Sequence, residues 1–279
     1  MKKLFILLLS LAITGPNALL SQEIYVKLGG ARRIGVPSKQ IGINYTSVYT
    51  EQIANFGQEG VFGSFGAGNE IDCAIGLAGK SLGVEIGFSR VFKSTIDAKL
   101  NRTILLQPAG PVSENATHTY ESSIYSISPC VVLTFPLGFT ARIGGVLGFP
   151  TYTRKSHLER HSSSDYTYDW AEGFSGPIAL GVSGSVGYVF SVATGLKLYV
   201  EADAVSLSWA PTSAEVTAYK MNGEDQLSTL PQWLRKTIYV ESGPRVDTDV
   251  INGDEPTRSL KGYYSYSTVG LKAGVMIGL

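Results

Sequence analysis

The chain has 279 residues with 23 basic and 23 acidic side chains, so it carries no formal net charge, and 44% of it is hydrophobic. A nucleic-acid binder would show a basic excess or stripe, and a disordered chain would combine low hydrophobicity with high net charge; both classes are excluded. The 32 glycines follow no three-residue period, which excludes collagen and points to tight turns and close backbone approaches.

At the N-terminus Lys2 and Lys3 precede the apolar run LFILLLSLAIT, which Gly15, Pro16 and Asn17 break before Ser21 and Gln22. A basic start, a short apolar run and a small residue predict a secretory signal peptide over 1–21 and a mature domain over 22–279. The run is too short to cross about 30 Å of hydrocarbon as a helix.

Beyond the leader the apolar signal has period two and recurs in eight segments. The first places Ile24, Val26 and Leu28 on one face. The second carries Ile71, Cys73, Ile75 and Leu77, and the third Leu82, Val84, Ile86 and Phe88. In the fourth, Tyr125, Ile127, Pro129, Val131, Leu133 and Phe135 align, and in the fifth Phe139, Ile143, Leu147 and Phe149. The sixth has Ile178, Leu180, Val182, Val186, Tyr188 and Phe190, the seventh Leu196, Leu198 and Val200, and the eighth Val269, Leu271, Val275, Ile277 and Leu279. Pro129 has no N–H for a ladder, so a bulge is expected there. Residues 178–196 are uncharged and long enough for a membrane helix, but their alternating Gly and Ser indicate a strand.

Short connections at 79–81, 136–138 and 191–195 alternate with long polar ones. That alternation predicts an all-β fold: an eight-stranded antiparallel up-and-down transmembrane β-barrel with long extracellular loops and both termini periplasmic. A soluble sandwich would put Lys, Glu, Arg and Thr opposite its apolar face. Here that face holds Ala74, Gly76, Gly83, Gly87, Gly144, Gly148, Gly181, Ser183, Gly187, Gly270 and Gly274, which suit the cramped interior of a narrow barrel. Phe88, Tyr125 and Phe149 at one end of the segments, and Phe135, Phe139, Tyr188 and Phe190 at the other, form two aromatic girdles.

With its leader, eight alternating segments, three tight turns and final segment VGLKAGVMIGL, the chain resembles the small outer-membrane β-barrels of the OmpA-like and OmpX-like group. The resemblance implies an integral protein of a gram-negative outer membrane, with outer-membrane lipid as its surroundings. It departs from the group in lacking a C-terminal peptidoglycan-binding domain and in ending on Leu279 rather than an aromatic.

Charged residues within the segments should point inward: Lys27, Asp72, Glu85, Arg142, Lys197, Glu201, Asp203 and Lys272, four of each sign. A balanced set reads as a salt-bridged plug, with Arg142 and Glu201 or Glu85 in its middle. No catalytic, cofactor or metal site is expected. His118, His157 and His161 are the only histidines, and HLERH matches neither zinc-hydrolase pattern. Cys73 and Cys130 fall on opposite faces with a strand between them, so both should be free thiols. In the long loops Trp209, Tyr219 and Trp233 are candidate contact residues. Asn222 and Gly223 suit a tight hairpin, and a short helix should start near Pro231. If the 212–227 hairpin joined the wall, the barrel would have ten strands. Function is expected in the loops: a non-enzymatic protein with a filled lumen, acting in adhesion, partner binding or envelope integrity through an extracellular or envelope protein partner, and binding no nucleic acid. The alternatives are a small selective pore and, behind it, a lipid-modifying enzyme.

Overall fold

The computed structural model describes residues 23–37, 40–50, 54–106, 110–162, 165–241 and 255–279. The proposed signal peptide lies outside the described residues. The described residues form an all-β fold, with sixteen strands among them. In chain order these are β1 Glu23–Gly35, β2 Gln40–Thr50, β3 Ala54–Phe62, β4 Gly68–Ala78, β5 Leu82–Leu106, β6 Gly110–Thr134, β7 Phe139–His161, β8 Tyr166–Ser175, β9 Ala179–Ala193, β10 Leu196–Trp209, β11 Ser213–Met221, β12 Glu224–Asp225, β13 Lys236–Val240, β14 Thr257–Leu260, β15 Tyr264–Ser265 and β16 Thr268–Gly278.

Eight of them close a ring. Pairing runs β1–β4–β5–β6–β7–β9–β10–β16, and β16 returns to β1, each neighbour antiparallel. The Leu279 amide donates to the Ile24 carbonyl at 2.8 Å, so the two ends of the ring's chain meet beside the short turns. Those turns are Gly79–Ser81, Pro136–Gly138 and Thr194–Gly195, and the second is held by positive φ at Leu137 and Gly138. Residues 179–193, the apolar stretch that could be mistaken for a membrane helix, are strand β9.

The period-two pattern sorts side chains by face. Outward positions bear exposed Leu28, Ile75, Phe88, Ile143, Leu180, Val186 and Leu271, several more than 60% exposed, in a continuous apolar belt. Soluble monomers do not present such a surface to water. From Phe139 to Phe149 along β7 the belt covers about 33 Å of strand. Inward positions are narrow because large side chains from opposite walls need the space. A Cβ on Gly76 would run into the Tyr25 ring, and one on Gly187 would meet Glu201 Cγ at 2.5 Å.

Two expectations need correction. Pro129 causes no bulge: the β5–β6 register runs unbroken through Ile86 and Pro129. The missing N–H instead leaves a gap on the other side, where the β6–β7 ladder passes from Ile127 to Cys130. The long connections, moreover, are largely sheet. β5, β6 and β7 continue well past the apolar belt, β2 adds to β5 in parallel, and β8, β11 and β13 extend the sheet from β7. The extensions of β6 and β7 escape an apolar period-two search because Thr, Ser and Tyr occupy both faces, and on β5 the apolar alternation is confined to Ile96, Ala98 and Leu100. The 212–227 hairpin belongs to this projecting sheet and leaves the ring at eight strands.

That hairpin turns on Asn222 and Gly223, both at positive φ (53° and 82°), the geometry a two-residue turn requires. Gly223→Val forces a β-branched residue into the left-handed region, at a cost of about 1–2 kcal/mol. Limited proteolysis should show faster nicking near residue 223 while the ring stays protected.

Candidate functional site

Inside the ring the charges gather in two groups bridged by Tyr199, whose ring centroid lies 4.2 Å from Lys27 Nζ and whose hydroxyl donates to Asp72 at 3.3 Å. Nearer the short turns, Lys27 Nζ lies 2.8 Å from Glu201 and 3.6 Å from Glu85, while Arg142 lies 2.6 Å from Glu201 and 3.4 Å from Glu85. The Tyr25 hydroxyl donates to Glu85 at 2.7 Å. Nearer the long extensions, Arg33 pairs with Glu70 and, at 2.8 Å, with Asp203, and Lys272 with Glu70 and Asp72 at 3.3 and 3.5 Å. Lys197 stands apart, paired with Glu23 at the turn end. The structure thus joins seven of the eight inward charges named from the sequence into one interior and places Lys197 at its edge. Arg33 and Glu70 were missed because β1 and β4 run farther than their apolar stretches, although both share the parity of Lys27 and Asp72. The residual interior cavity is about 100 Å³.

Aromatic side chains close the mouth above these charges. Phe65, fully buried, contacts Tyr152 at 4.9 Å and Tyr264 and Tyr266 at 5.9 Å between ring centroids. Tyr266 and Ser122 share a 2.7 Å hydrogen bond. Trp209, expected as an exposed contact residue, is 2% exposed and donates from its indole to the Pro177 carbonyl at 2.7 Å. It belongs to this packed mouth, since an indole N–H is buried only with a partner. Trp233 sits in the one-turn helix Gln232–Arg235, half-buried, its carbonyl accepting from Thr257. Cys73 faces outward and Cys130 inward, both free.

The inner wall continues up the projecting sheet and there brings chemistry together. Cross-strand pairing aligns His118, Ser156, Trp170 and Tyr219 in one row, with Tyr120, Arg154 and Glu172 in the next row toward the mouth. Ser156 Oγ lies 2.7 Å from His118 Nδ1. Donation from the hydroxyl to Nδ1 places the imidazole proton on Nε2. Burial first, and then the Arg154 charge, hold the His118 pKa below its ordinary value, so the ring is a neutral acceptor at pH 7. Arg154 binds Glu172 at 2.6 Å, and its buried Nε has no partner among the described residues. Tyr219 packs at 5.4 Å from Tyr168 and 5.7 Å from Trp170, giving an aromatic floor beside the pair. Ser156 and His118 lie 38 positions apart in sequence; only the register of β6 on β7 unites them.

The outer face of the same sheet holds a second histidine in a different state. His157 Nδ1 is 2.6 Å from Asp169 and Nε2 is 3.2 Å from Glu159, beside an open cavity of about 450 Å³ that Thr117, Lys155 and Lys220 also line. Its hydrogen bonds to Asp169, and then to Glu159, raise its pKa. With both ring nitrogens engaged by carboxylates, His157 has no free nitrogen with which to take a proton from a substrate. His161 lies four residues farther along the same strand, about 13 Å away, so HLERH forms no shared metal site. No metal-binding group of three or more His, Cys, Asp or Glu residues occurs among the described residues.

No family model matches the chain, and no curated protein matches it. Among solved structures it is similar to the outer membrane protease OmpT from Escherichia coli, 10% identical over 93% of this chain and 99% of that one, with a TM-score of 0.25. That protein is a protease by name, whereas the sequence led us to expect a non-enzymatic protein acting through its loops in adhesion, partner binding or envelope integrity; that expectation is withdrawn. What this chain can do chemically rests on its own residues.

Two measurements check the geometry. Arg142→Ala leaves Glu85 and Glu201 sharing only Lys27 and should lower unfolding stability in detergent by about 3–5 kcal/mol; an unchanged urea midpoint would refute the network. His157 should titrate above the ordinary histidine value and fall back in Asp169→Asn, as read by NMR. Because its folded pKa is raised, its contribution is fully present below the unfolded pKa and is lost as pH rises through the folded one.

Proposed function

We propose that the protein is an integral outer-membrane β-barrel whose projecting sheet carries a serine-nucleophile site that cleaves an ester or amide. In this reading the apolar belt lies in lipid. At a strand tilt of about 40° its 33 Å becomes about 25 Å of height, the thickness such barrels present. The short turns and both ends of the ring's chain are periplasmic, and the projecting sheet stands outside the cell. The eight-strand ring supports kinship in design with the OmpA-like and OmpX-like barrels, to which the sheet above is an addition.

The 2.7 Å contact between Ser156 Oγ and His118 Nδ1 carries the catalytic reading. A serine attacks a carbonyl only when a base takes its proton, and a neutral histidine within hydrogen-bond reach is that base. The Oγ–C bond forms as the proton passes to Nδ1. The imidazolium then returns that proton to the departing alkoxide or amine, and water cleaves the acyl-enzyme by the same route. Arg154, two residues along the same face, supplies positive charge for the developing oxyanion, and Trp170, Tyr168 and Tyr219 offer a surface for an apolar or aromatic part of the substrate.

A fluorophosphonate probe should label the refolded protein at Ser156. Ser156→Ala should abolish labelling, and labelling should fall on acidification with a midpoint below the ordinary histidine value of about 6.5. A protein that shifts on a gel between unheated and boiled samples, and so is folded, but takes no probe would refute the site. Absence of that shift would refute the barrel.

A further inference from the structure

The cations on this protein differ in what neutralises them and in where they stand on the wall. Every lysine and arginine in the ring's interior is ion-paired with a carboxylate, and on the outer face Lys93 and Lys155 share Glu121 at 2.6 and 2.9 Å. Arg32 and Arg90 form no ion pair among the described residues, and neither do Lys80 in a short turn or Lys99, Lys220, Lys236 and Arg258 on the projecting sheet. Arg32 and Arg90 alone of these are exposed arginines facing outward on the ring strands β1 and β5. Arg32 Nη1 donates to the Asn69 side-chain carbonyl at 2.7 Å, and the Arg90 guanidinium lies over the rings of Tyr125 and Phe92, 4.9 and 5.4 Å from their centroids.

Their height on the wall is set by register. Arg90 pairs with Tyr125, which pairs with Phe149, so it sits in the upper aromatic girdle. Arg32 pairs with Leu271 and Asn69, and Ile34, 66% exposed, lies beyond it on the same face. Two uncompensated guanidiniums are therefore embedded in the margin of an apolar surface, with β4 alone between their strands. Arg32 lies opposite Asn69 and Arg90 opposite Ile71, so two interstrand spacings and a two-residue stagger separate their Cα positions by about 12 Å.

We infer that Arg32, Asn69 and Arg90 form a docking surface for the phosphate groups of an anionic membrane lipid in the leaflet that surrounds the projecting sheet. The inference rests on the membrane reading above and is independent of the Ser156 site. Guanidinium is the side chain suited to phosphate because its planar donors match two oxygens at once. At this level the acyl chains meet the apolar belt and the headgroup phosphates meet the arginines. The cation–π contacts hold Arg90 flat against the wall and leave its edge donors available. A pair of guanidiniums on backbone positions about 12 Å apart suits a lipid bearing two phosphates better than one bearing a single phosphate.

The test is native mass spectrometry of the full-length mature protein in a neutral detergent, titrated with a bis-phosphorylated acylated disaccharide lipid and, separately, with its dephosphorylated form. Wild type should retain the phosphorylated lipid with at least about tenfold preference. Arg32→Gln/Arg90→Gln should lose that preference, while Lys93→Gln should keep it. Equal retention of both lipids by wild type, an unchanged preference in the double variant, or displacement by millimolar inorganic phosphate would overturn the inference. The boiled-versus-unheated gel shift of each variant, measured alongside, separates failure of this surface from failure of the barrel itself.

Discussion

The pairing of β1 with β16 closes the sheet on itself, and most of what distinguishes this protein depends on that closure. An open sheet leaves a row of unpaired N–H and C=O groups at each edge, which hydrocarbon cannot satisfy. Closure removes both edges in the apolar zone and divides the side chains into two populations. One looks out and is apolar. The other looks into a space so narrow that glycine, alanine and serine must line much of it to leave room for Tyr25, Tyr199 and the charged groups. The charges are then confined together, and four cations (Lys27, Arg33, Arg142 and Lys272) face five carboxylates (Glu70, Asp72, Glu85, Glu201 and Asp203) in direct contact. Such an interior is costly to break at any single partner, which makes the ring a rigid base.

Above the ring the constraint changes. β6 and β7 continue out of the apolar zone in the ring's register, and β5 follows beside β6 with a one-residue shift between Val91 and Ser94. That continuity is why Ser156 meets His118: the β6–β7 register that pairs Val132 with Arg142 inside the ring also pairs His118 with Ser156 far outside it. A site built on unbroken strands is held more firmly than one built on a loop. The same sheet shows how environment assigns roles to one residue type. His118, half-buried beside a cation, is kept neutral, whereas for His157, one residue beyond Ser156 and on the opposite face, two carboxylates favour the charged form.

The ring was legible in the sequence because its two faces differ in the most readable property, polarity, with the shortest period. Turns at 79–81 and 136–138, the inward parity of Lys27, Glu85, Arg142 and Glu201, and the separation of Cys73 from Cys130 all follow from alternation. What alternation could not reveal lay where neither face is apolar. The extensions over 110–122 and 150–161 read as polar loops because Thr, Ser, Tyr and Lys fill both faces there, while over 94–106 the alternation of Ile96, Ala98 and Leu100 is too short to stand out. Trp209 read as a loop aromatic because the cluster that buries it draws on Phe65, Tyr152 and Tyr264, residues distant in sequence. The Ser156–His118 pair had no local motif at all; it is a product of strand register, and a period-two search for Tyr and Thr beyond Phe149 was the one signal that would have led toward it.

The membrane-embedded ring is the claim on which the functional reading stands, and Cys73 offers a direct probe because it faces outward from the middle of β4, opposite Leu28 and Phe88. With Cys130 replaced by alanine and the protein reconstituted in vesicles, a spin label on Cys73 should be relaxed strongly by dissolved oxygen and hardly at all by a water-soluble nickel chelate. A label introduced at Lys155 should show the opposite. Ready access of the chelate to Cys73 in folded protein would contradict the account.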